Sequence, residues 1–270
     1  MTTTHLLNIR RNDRETDVAE LGQLAFAGYA HFTAMQVRDG RVRGLDLHLM
    51  RLRHASLKLF GRALPDDRVL TWVRAALDDA PADLSLTATV YLPSGEFTVA
   101  GPDEEPALLV RTAPPASAPA GPFTLAVAEH ERFLPCVKHA GEPAKTYFLR
   151  QAAEQGCDDV VFTDRRGRLS EASIWNLAFW DGTSVVWPAA DMLDGVTMGI
   201  VRRQLDRLGI AQRVLGITLA DLPELAGAAV MNSWTPGVMV RRIGPVQLPE
   251  ARTFGELLHR AYEAEPLISL

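Results

Sequence analysis

Two residues of this chain stand in local contexts that complement each other chemically. Lys138 lies in Cys136-Val137-Lys138-His139, shortly after an apolar run, Phe123–Ala128, that reads as a strand. Glu171 lies in Leu169-Ser170-Glu171-Ala172-Ser173-Ile174-Trp175-Asn176-Leu177-Ala178-Phe179, a turn running into an apolar strand. A primary amine can condense with an aldehyde to a Schiff base, and a carboxylate can hold the proton of a pyridinium ring. Those two groups together are what a protein must supply to pyridoxal 5'-phosphate (PLP). Each residue alone also reads as an ordinary solvated surface charge, so the case rests on what surrounds them.

Three further features suit a phosphorylated ligand. Asp194-Gly195-Val196-Thr197 precedes a helix, where unsatisfied N–H groups and the helix dipole favour an anion. The same residues read equally as a plain helix cap with Thr197 satisfying the backbone. Asn232-Ser233 ends a strand with a second hydroxyl, which fits turn chemistry as well as a ligand contact. Arg51 sits one turn after His48 on a helix otherwise apolar at Leu49 and Leu52, and a solvated arginine is the alternative there. Trp175 and Trp234 follow these motifs and read either as walls of a site or as core. Cys136 reads as a small buried apolar residue.

A scaffold must position these groups. The chain has 270 residues and 47% hydrophobic content, enough for one large domain or two medium ones. Its net charge of −5, with both signs interspersed, argues against nucleic-acid binding. Cys136 and Cys157 are too few for a disulfide framework and no Cys/His grouping has zinc spacing. No metal is therefore expected, and a reduced, cytoplasmic setting fits. The N-terminal Met1-Thr-Thr-Thr-His-Leu-Leu-Asn-Ile-Arg has no apolar run of signal length, and no stretch approaches the roughly 18 apolar residues of a membrane span.

Pro114, Pro115, Pro119 and Pro122, set among small residues, exclude a helix or a central strand. They divide the chain into a smaller N-terminal α/β domain (1–112), a linker (113–122) and a larger C-terminal, cofactor-binding domain (123–270). In the first part, Arg38-Asp39-Gly40 between Phe32–Val37 and Arg41–Leu45 reads as a hairpin turn. Leu49, Leu52, Leu57, Leu59 and Phe60 read as a helix closed by Gly61. A helix at about Pro65–Leu77 and strands at Leu84–Leu92 and Ala107–Val110 follow. In the second part, strands Phe123–Ala128, Val160–Thr163, about Val185–Trp187 and Ala229–Ser233 mix with helices at about Lys145–Gln155, Gly195–Leu208, Leu219–Leu225 and Phe254–Ala264. That pattern predicts α/β (α+β) layers rather than a bundle or a sandwich.

Several ordered motifs resemble one family. Phe32-Thr-Ala-Met-Gln-Val-Arg-Asp-Gly-Arg-Val42 followed by His48-Leu-Met-Arg51-Leu52 is similar to its opening hairpin and its H-x-x-R-L helix. Lys138-His139, then Gly156 and Asp158-Asp159, resembles its lysine segment. Ser170-Glu171-Ala172-Ser173 with Asn176 resembles E-[GA]-S-x-x-N-x-F, with Phe179 one position beyond the motif's aromatic; Leu193-Asp-Gly-Val-Thr197 resembles L-P-G-[IV]-T, and Asn232-Ser233 its N-S turn. The family is that of class IV PLP-dependent enzymes, which holds branched-chain and D-amino-acid aminotransferases and 4-amino-4-deoxychorismate lyase. The similarity runs from about Phe32 to about Ile243.

The resemblance implies a two-domain fold of the D-amino-acid aminotransferase type, pyridoxal 5'-phosphate as cofactor and a homodimer. Lys138 would form the Schiff base and later move the substrate proton, and Glu171 would pair with the ring nitrogen. Arg51, Val196, Thr197 and Ser233 would hold the phosphate. The activity implied is aminotransfer between an amino acid and a 2-oxo acid, with pyruvate-releasing lyase chemistry that leaves 4-aminobenzoate as the alternative. Two departures stand out. The aminotransferase pattern has an Asn-Tyr pair after its lysine, the tyrosine bonding the cofactor's phenolic oxygen, whereas this chain reads His139-Ala140-Gly141-Glu142-Pro143 with Tyr147 beyond. The entry to the hairpin is eroded to Ala27-Gly28-Tyr29-Ala30-His31-Phe32. Lys145 is the only nearby rival to Lys138 and is expected on a helix.

Overall fold

Sheet registers, more than helices, decide where the chemistry-bearing residues fall. The computed structural model describes residues 9–25, 28–78, 80–95, 97–98, 101 and 103–270. The N-terminal stretch read above for a signal run, residues 1–8, and Ala27 of the eroded entry lie outside the described residues. Contacts divide the chain into two units: Met1–Ala116 with Val137–Gly141 and Leu267–Leu270, and Ser117–Cys136 with Glu142–Pro266. Two segments thus depart from a contiguous division after the proline-rich stretch, because each adds backbone pairing to a strand of the first unit.

The first unit runs β1 (Ile9–Arg11), β2 (Arg14–Glu15), α1 (Val18–Ala25), β3 (Ala30–Val37), β4 (Arg41–Arg43), α2 (Leu45–Phe60), α3 (Asp66–Ala75), β5 (Leu84–Tyr91) and β6 (Ala107–Ala113). Its sheet has the order β2-β1-β6-β5-β3. Strand β3 alternates, with His31, Thr33, Met35 and Val37 buried. Two residues of that face bond to α2: His31 Nε2 lies 2.8 Å from Ser56 Oγ, and Thr33 Oγ1 lies 2.6 Å from His48 Nδ1. The Asp-Gly turn forms as predicted, with φ of 52° at Asp39 and 65° at Gly40. The hairpin does not extend from it. Arg38 and Arg41 make only an isolated bridge, and β4 pairs with Leu267–Ser269. The reason lies in β3, which is already flanked by β5 and by the Lys138 segment. Phe32 N–H donates to the Lys138 carbonyl at 2.9 Å, and Ala140 N–H to the Ala30 carbonyl at 2.8 Å.

The second unit runs β7 (Phe123–Glu129), α4 (Pro143–Glu154), β8 (Asp159–Thr163), β9 (Leu169–Ala172), β10 (Asn176–Trp180), β11 (Val185–Pro188), α5 (Val196–Arg207), β12 (Gln212–Leu215), β13 (Gly227–Asn232), β14 (Thr235–Ile243), β15 (Val246–Gln247) and α6 (Arg252–Glu263). The sheet order is β12-β11-β10-β13-β14-β7-β8-β9, with β15 on β14, and a β9–β10 pairing closes six of its strands on themselves. Residues alternate between two cores. Leu177 and Phe179 of β10 and Val230 of β13 join Leu125, Leu169 and Val238 in one. Ala178 and Met231 face α5 and α6 through Met198, Leu205, Phe254 and Leu258 in the other. A smaller cluster seats α4 on β7 and β8 through Ala152, Phe148, Val160 and Phe162.

The fold is mixed α/β, as the composition of elements predicts. Three differences are instructive. Leu219–Leu225 makes only a 3-10 turn at Leu222–Glu224, since a helix begun at Leu219 would hold Pro223 in its interior. Strand β14 is not evident in the sequence because Pro236 and Gly237 interrupt it; Gly237 lies against Leu258, where an added Cβ would stand 3.2 Å from that side chain. Cys136 is exposed rather than buried. Among the described residues no helix is long and apolar enough to cross a membrane.

Candidate functional site

Glu171 belongs to strand β9, not to the turn after it, and is 5% exposed. It sits at the point where the ring of strands closes. Asn176 on β10 pairs with Glu171 on one side and with Met231 of β13 on the other, so a single register row joins the three strands. The turn between β9 and β10 is pinned by a buried acid. Asp159 accepts from Ser173 Oγ at 2.8 Å, Trp175 Nε1 at 2.9 Å and Ser173 N–H at 3.2 Å. Burial pushes the Asp159 carboxyl above its usual range while these donors hold it down. Trp175 is buried, and its ring meets that of Trp234 edge-on at 5.8 Å, so it is core and wall at once.

Two cations converge on Glu171. Arg132 Nε donates to Oε1 at 2.7 Å, and Lys145 Nζ stands 3.0 Å from the same oxygen. Arg132 also reaches Glu142 Oε1 through Nη1 at 3.3 Å. The side chains of Arg132, Lys145 and Glu171 are all buried, which an unpaired charge could not tolerate. Burial depresses the Lys145 amine and neighbouring Arg132 adds to this, while Glu171 and Glu142 oppose it. His130, packed on Phe148 and Phe162, is likewise depressed by burial. Every contact of Glu171 falls on Oε1, and Oε2 accepts no hydrogen bond from the described residues.

The start of α5 lies beside the same register row. Asn176 Nδ2 donates to the Leu193 carbonyl at 2.7 Å, and its Oδ1 lies against Gly195, where an added Cβ would come within 1.8 Å. Only glycine fits there. Gly195 is the N-cap residue and gives no side-chain cap, so the first-turn N–H groups of α5 have no side-chain acceptor from it. Thr197 Oγ1 donates to the Asn232 carbonyl at 2.9 Å, which ties the helix start to the Asn232-Ser233 turn; Trp234 N–H closes that turn on Asn232 Oδ1 at 2.8 Å. The Thr197 hydroxyl is thus engaged within the protein, and its N–H, in the first turn of α5, has no acceptor within the helix.

Of the residues singled out in the sequence, the second unit gathers Glu171, Val196, Thr197 and Ser233 around β9, β10, β13 and α5, while Arg51 and Lys138 belong to the first. Arg51 is half-buried on α2, one turn from buried His48. Lys138 Nζ stands 4.9 Å over the face of Phe32. Sequence reasoning passes over Arg132 and treats Lys145 only as a rival. One signal was available: Lys145 falls in the first turn of α4, where a cation opposes the helix dipole, so it needs an acid from elsewhere.

Comparison with known proteins decides the family. The family model for class IV amino-transferases matches residues 30–243. The chain belongs to the class IV aminotransferase family. No curated protein sequence matches it. Among solved structures, the second similarity is one of fold. An aminotransferase from Brucella abortus bound to the cofactor PLP is 20% identical, with a TM-score of 0.79, covering 95% of this chain and 98% of that one. A putative 4-amino-4-deoxychorismate lyase from Legionella pneumophila is 16% identical, with a TM-score of 0.80 over 94% and 98%. The branched-chain amino acid aminotransferase from Escherichia coli is 16% identical, with a TM-score of 0.79 over 94% and 92%. The fold is therefore shared with proteins described as aminotransferases and with one described as a putative lyase.

Proposed function

We propose that this class IV protein is a PLP-dependent aminotransferase acting on an amino acid and a 2-oxo acid, with Lys138 as the residue that carries the cofactor. The observation that supports it is the engagement of Lys145. Lys58, Lys138 and Lys145 are the lysines of the chain, and Lys58 is exposed on α2. In the pyridine ring of PLP the nitrogen and the carbon bearing the aldehyde are at opposite ends. An amine 3.0 Å from the carboxylate that meets the ring nitrogen is therefore at the wrong end to meet the aldehyde. That reasoning leaves Lys138.

The chemistry of the donors supports this reading. Glu171 is a buried carboxylate with one oxygen held by cations and the other available to a ring N–H. The first-turn N–H groups of Val196 and Thr197 and the Ser233 hydroxyl suit a phosphate dianion, and the family resemblance adds the Arg51 guanidinium to them. When bound, PLP supplies a conjugated ring that withdraws electron density from the substrate's Cα–H bond. The Glu171 carboxylate would accept the ring N–H and so favour the protonated ring that such withdrawal requires. Lys138 Nζ would take the Cα proton and return it.

Half-reactions with a panel of L- and D-amino acids, followed by the change in cofactor absorbance, test the transaminase reading. Release of 4-aminobenzoate and pyruvate from aminodeoxychorismate, with no amino-acid half-reaction, would replace it by the lyase reading. The resemblance supports a homodimer, and the sparse cysteines support a reduced, cytoplasmic setting. An equilibrium sedimentation mass near the 29.6 kDa of one chain, with full activity, would contradict the dimer.

A further inference from the structure

We infer that Lys145 is a positioning residue, acting through Glu171: it and Arg132 hold Oε1 so that Oε2 is the oxygen presented to the ring nitrogen. The inference rests on the PLP reading above and adds a function for a residue outside the family motifs quoted for this chain. Arg132 alone does not fix the carboxylate. Its Nε meets Oε1 at 2.7 Å, but its Nη1 is shared with Glu142 at 3.3 Å. Lys145, arriving from α4 at 3.0 Å on the same oxygen, supplies a second direction of pull. Two cations from different elements on one oxygen determine the rotation of the carboxylate.

Stability does not account for the arrangement. A lysine in the first turn of a helix opposes the helix dipole, and desolvation of its ammonium offsets much of what a buried ion pair returns. An apolar side chain of similar length would fill the same space against Phe162, whose ring lies 5.9 Å from Lys145 Nζ. The groups facing Glu171 are Arg132, after β7, and Lys145, on α4, with Glu142 and His130 just outside them. Of these, Lys145 is the one whose ion pairing is confined to Glu171.

The test uses pyridoxamine 5'-phosphate, which has no aldehyde and so reports the ring and phosphate contacts without covalent attachment. Its dissociation constant is measured by absorbance titration of the apoprotein for the wild type, Lys145→Met, Lys145→Arg, Glu171→Gln and the Lys145→Met/Glu171→Gln double variant, with thermal melts confirming that each is folded. Lys145→Met is expected to weaken binding by about tenfold, Lys145→Arg to restore it to within about threefold, and Lys145→Met to add little once Glu171 is already Gln. Equal losses from Lys145→Met in both backgrounds, or wild-type affinity in Lys145→Met, would overturn the inference while leaving the Glu171 reading intact. Should Lys145→Met fail to fold, Lys145→Gln takes its place in the same cycle. Wild-type affinity in Glu171→Gln, or no binding by the wild type, would instead overturn the PLP reading and the inference with it.

Discussion

The two units bury titratable groups in opposite ways. The second unit buries charges and pairs them: Glu171, Lys145 and Arg132 form one ionic cluster at the closure of the ring of strands. The first unit buries His31 and His48 as neutral rings, hydrogen-bonded to Ser56 and Thr33, and burial drives each pKa down to about 3. The first arrangement creates a fixed local field, which chemistry needs; the second avoids a field and only fills space. The two lysines follow the same division. Lys145 is committed to a carboxylate in the ionic cluster, and Lys138 lies over an aromatic face on a segment that pairs with β3.

The largest expected effect tests that division directly. Borohydride reduction of the PLP-loaded protein, followed by peptide mapping, should place the pyridoxyl label on Lys138 and none on Lys145. Lys138→Ala should abolish the label and lower turnover by at least about 100-fold, since the same amine serves as proton-transfer group. Label on Lys145 would reverse the roles of the two lysines.

Glu171→Gln comes next. The amide keeps the shape of the side chain but not its charge, and should lower kcat by roughly 100-fold or more with the fold retained. Folding survives because burial already depresses the Lys145 amine, which can give up its proton once its carboxylate partner is gone. Near-normal turnover would mean that another group meets the ring nitrogen.

How much of this was legible in the sequence follows from the same physics. The 171–179 motif and the glycine before α5 were readable because each is set by local pattern or by a close approach only glycine permits, whereas strand β9 read as a turn because its pairing with β8 and β10 is what makes it a strand. Helices α4 and α5 lie within a residue or two of their predicted limits, given by Pro143 and Gly195 at their starts. The partners of Glu171 were not readable. Arg132 and Lys145 reach it from either side of the Lys138 segment, and nothing in local spacing says that their side chains meet on one oxygen. The pairing of β4 with Leu267–Ser269 was missed for the same reason, since a long-range partner decides it, while strand β14 was hidden by Pro236 and Gly237 within it.

Acid should expose the other half of the comparison. Free histidine titrates near 6.5, while His31 and His48 titrate at about 3 in the folded chain, chiefly through burial. Arg51 adds to the depression at His48, Asp46 opposes it, and His139 adds to it at His31. Because the folded values lie below the unfolded ones, the unfolded chain takes up protons first as pH falls. Stability is therefore lost from about pH 6.5 downward, by about 2 kcal/mol per histidine at pH 5. Urea midpoints at pH 7 and pH 5 read this, and His48→Asn should flatten the dependence. An unchanged midpoint would mean that these rings are protonated in the folded state.

The smallest effect concerns Thr197, where the sequence assigns a hydroxyl to the phosphate and the structure gives that proton to the Asn232 carbonyl at 2.9 Å. If the hydroxyl serves to hold the Asn232-Ser233 turn against the start of α5, Thr197→Val should cost about 1 kcal/mol of stability, the worth of one buried hydrogen bond. Thr197→Ser should recover most of it. Affinity for pyridoxamine 5'-phosphate should fall only about threefold, because the α5 N–H groups still meet the phosphate and the loss is one of placement. A direct hydroxyl contact predicts a different pattern: affinity falls by about tenfold or more, while pyridoxamine, which lacks the phosphate, binds both forms equally and the melting temperature does not move. Measuring both ligands and the melt on the same three proteins separates the two roles of that one oxygen.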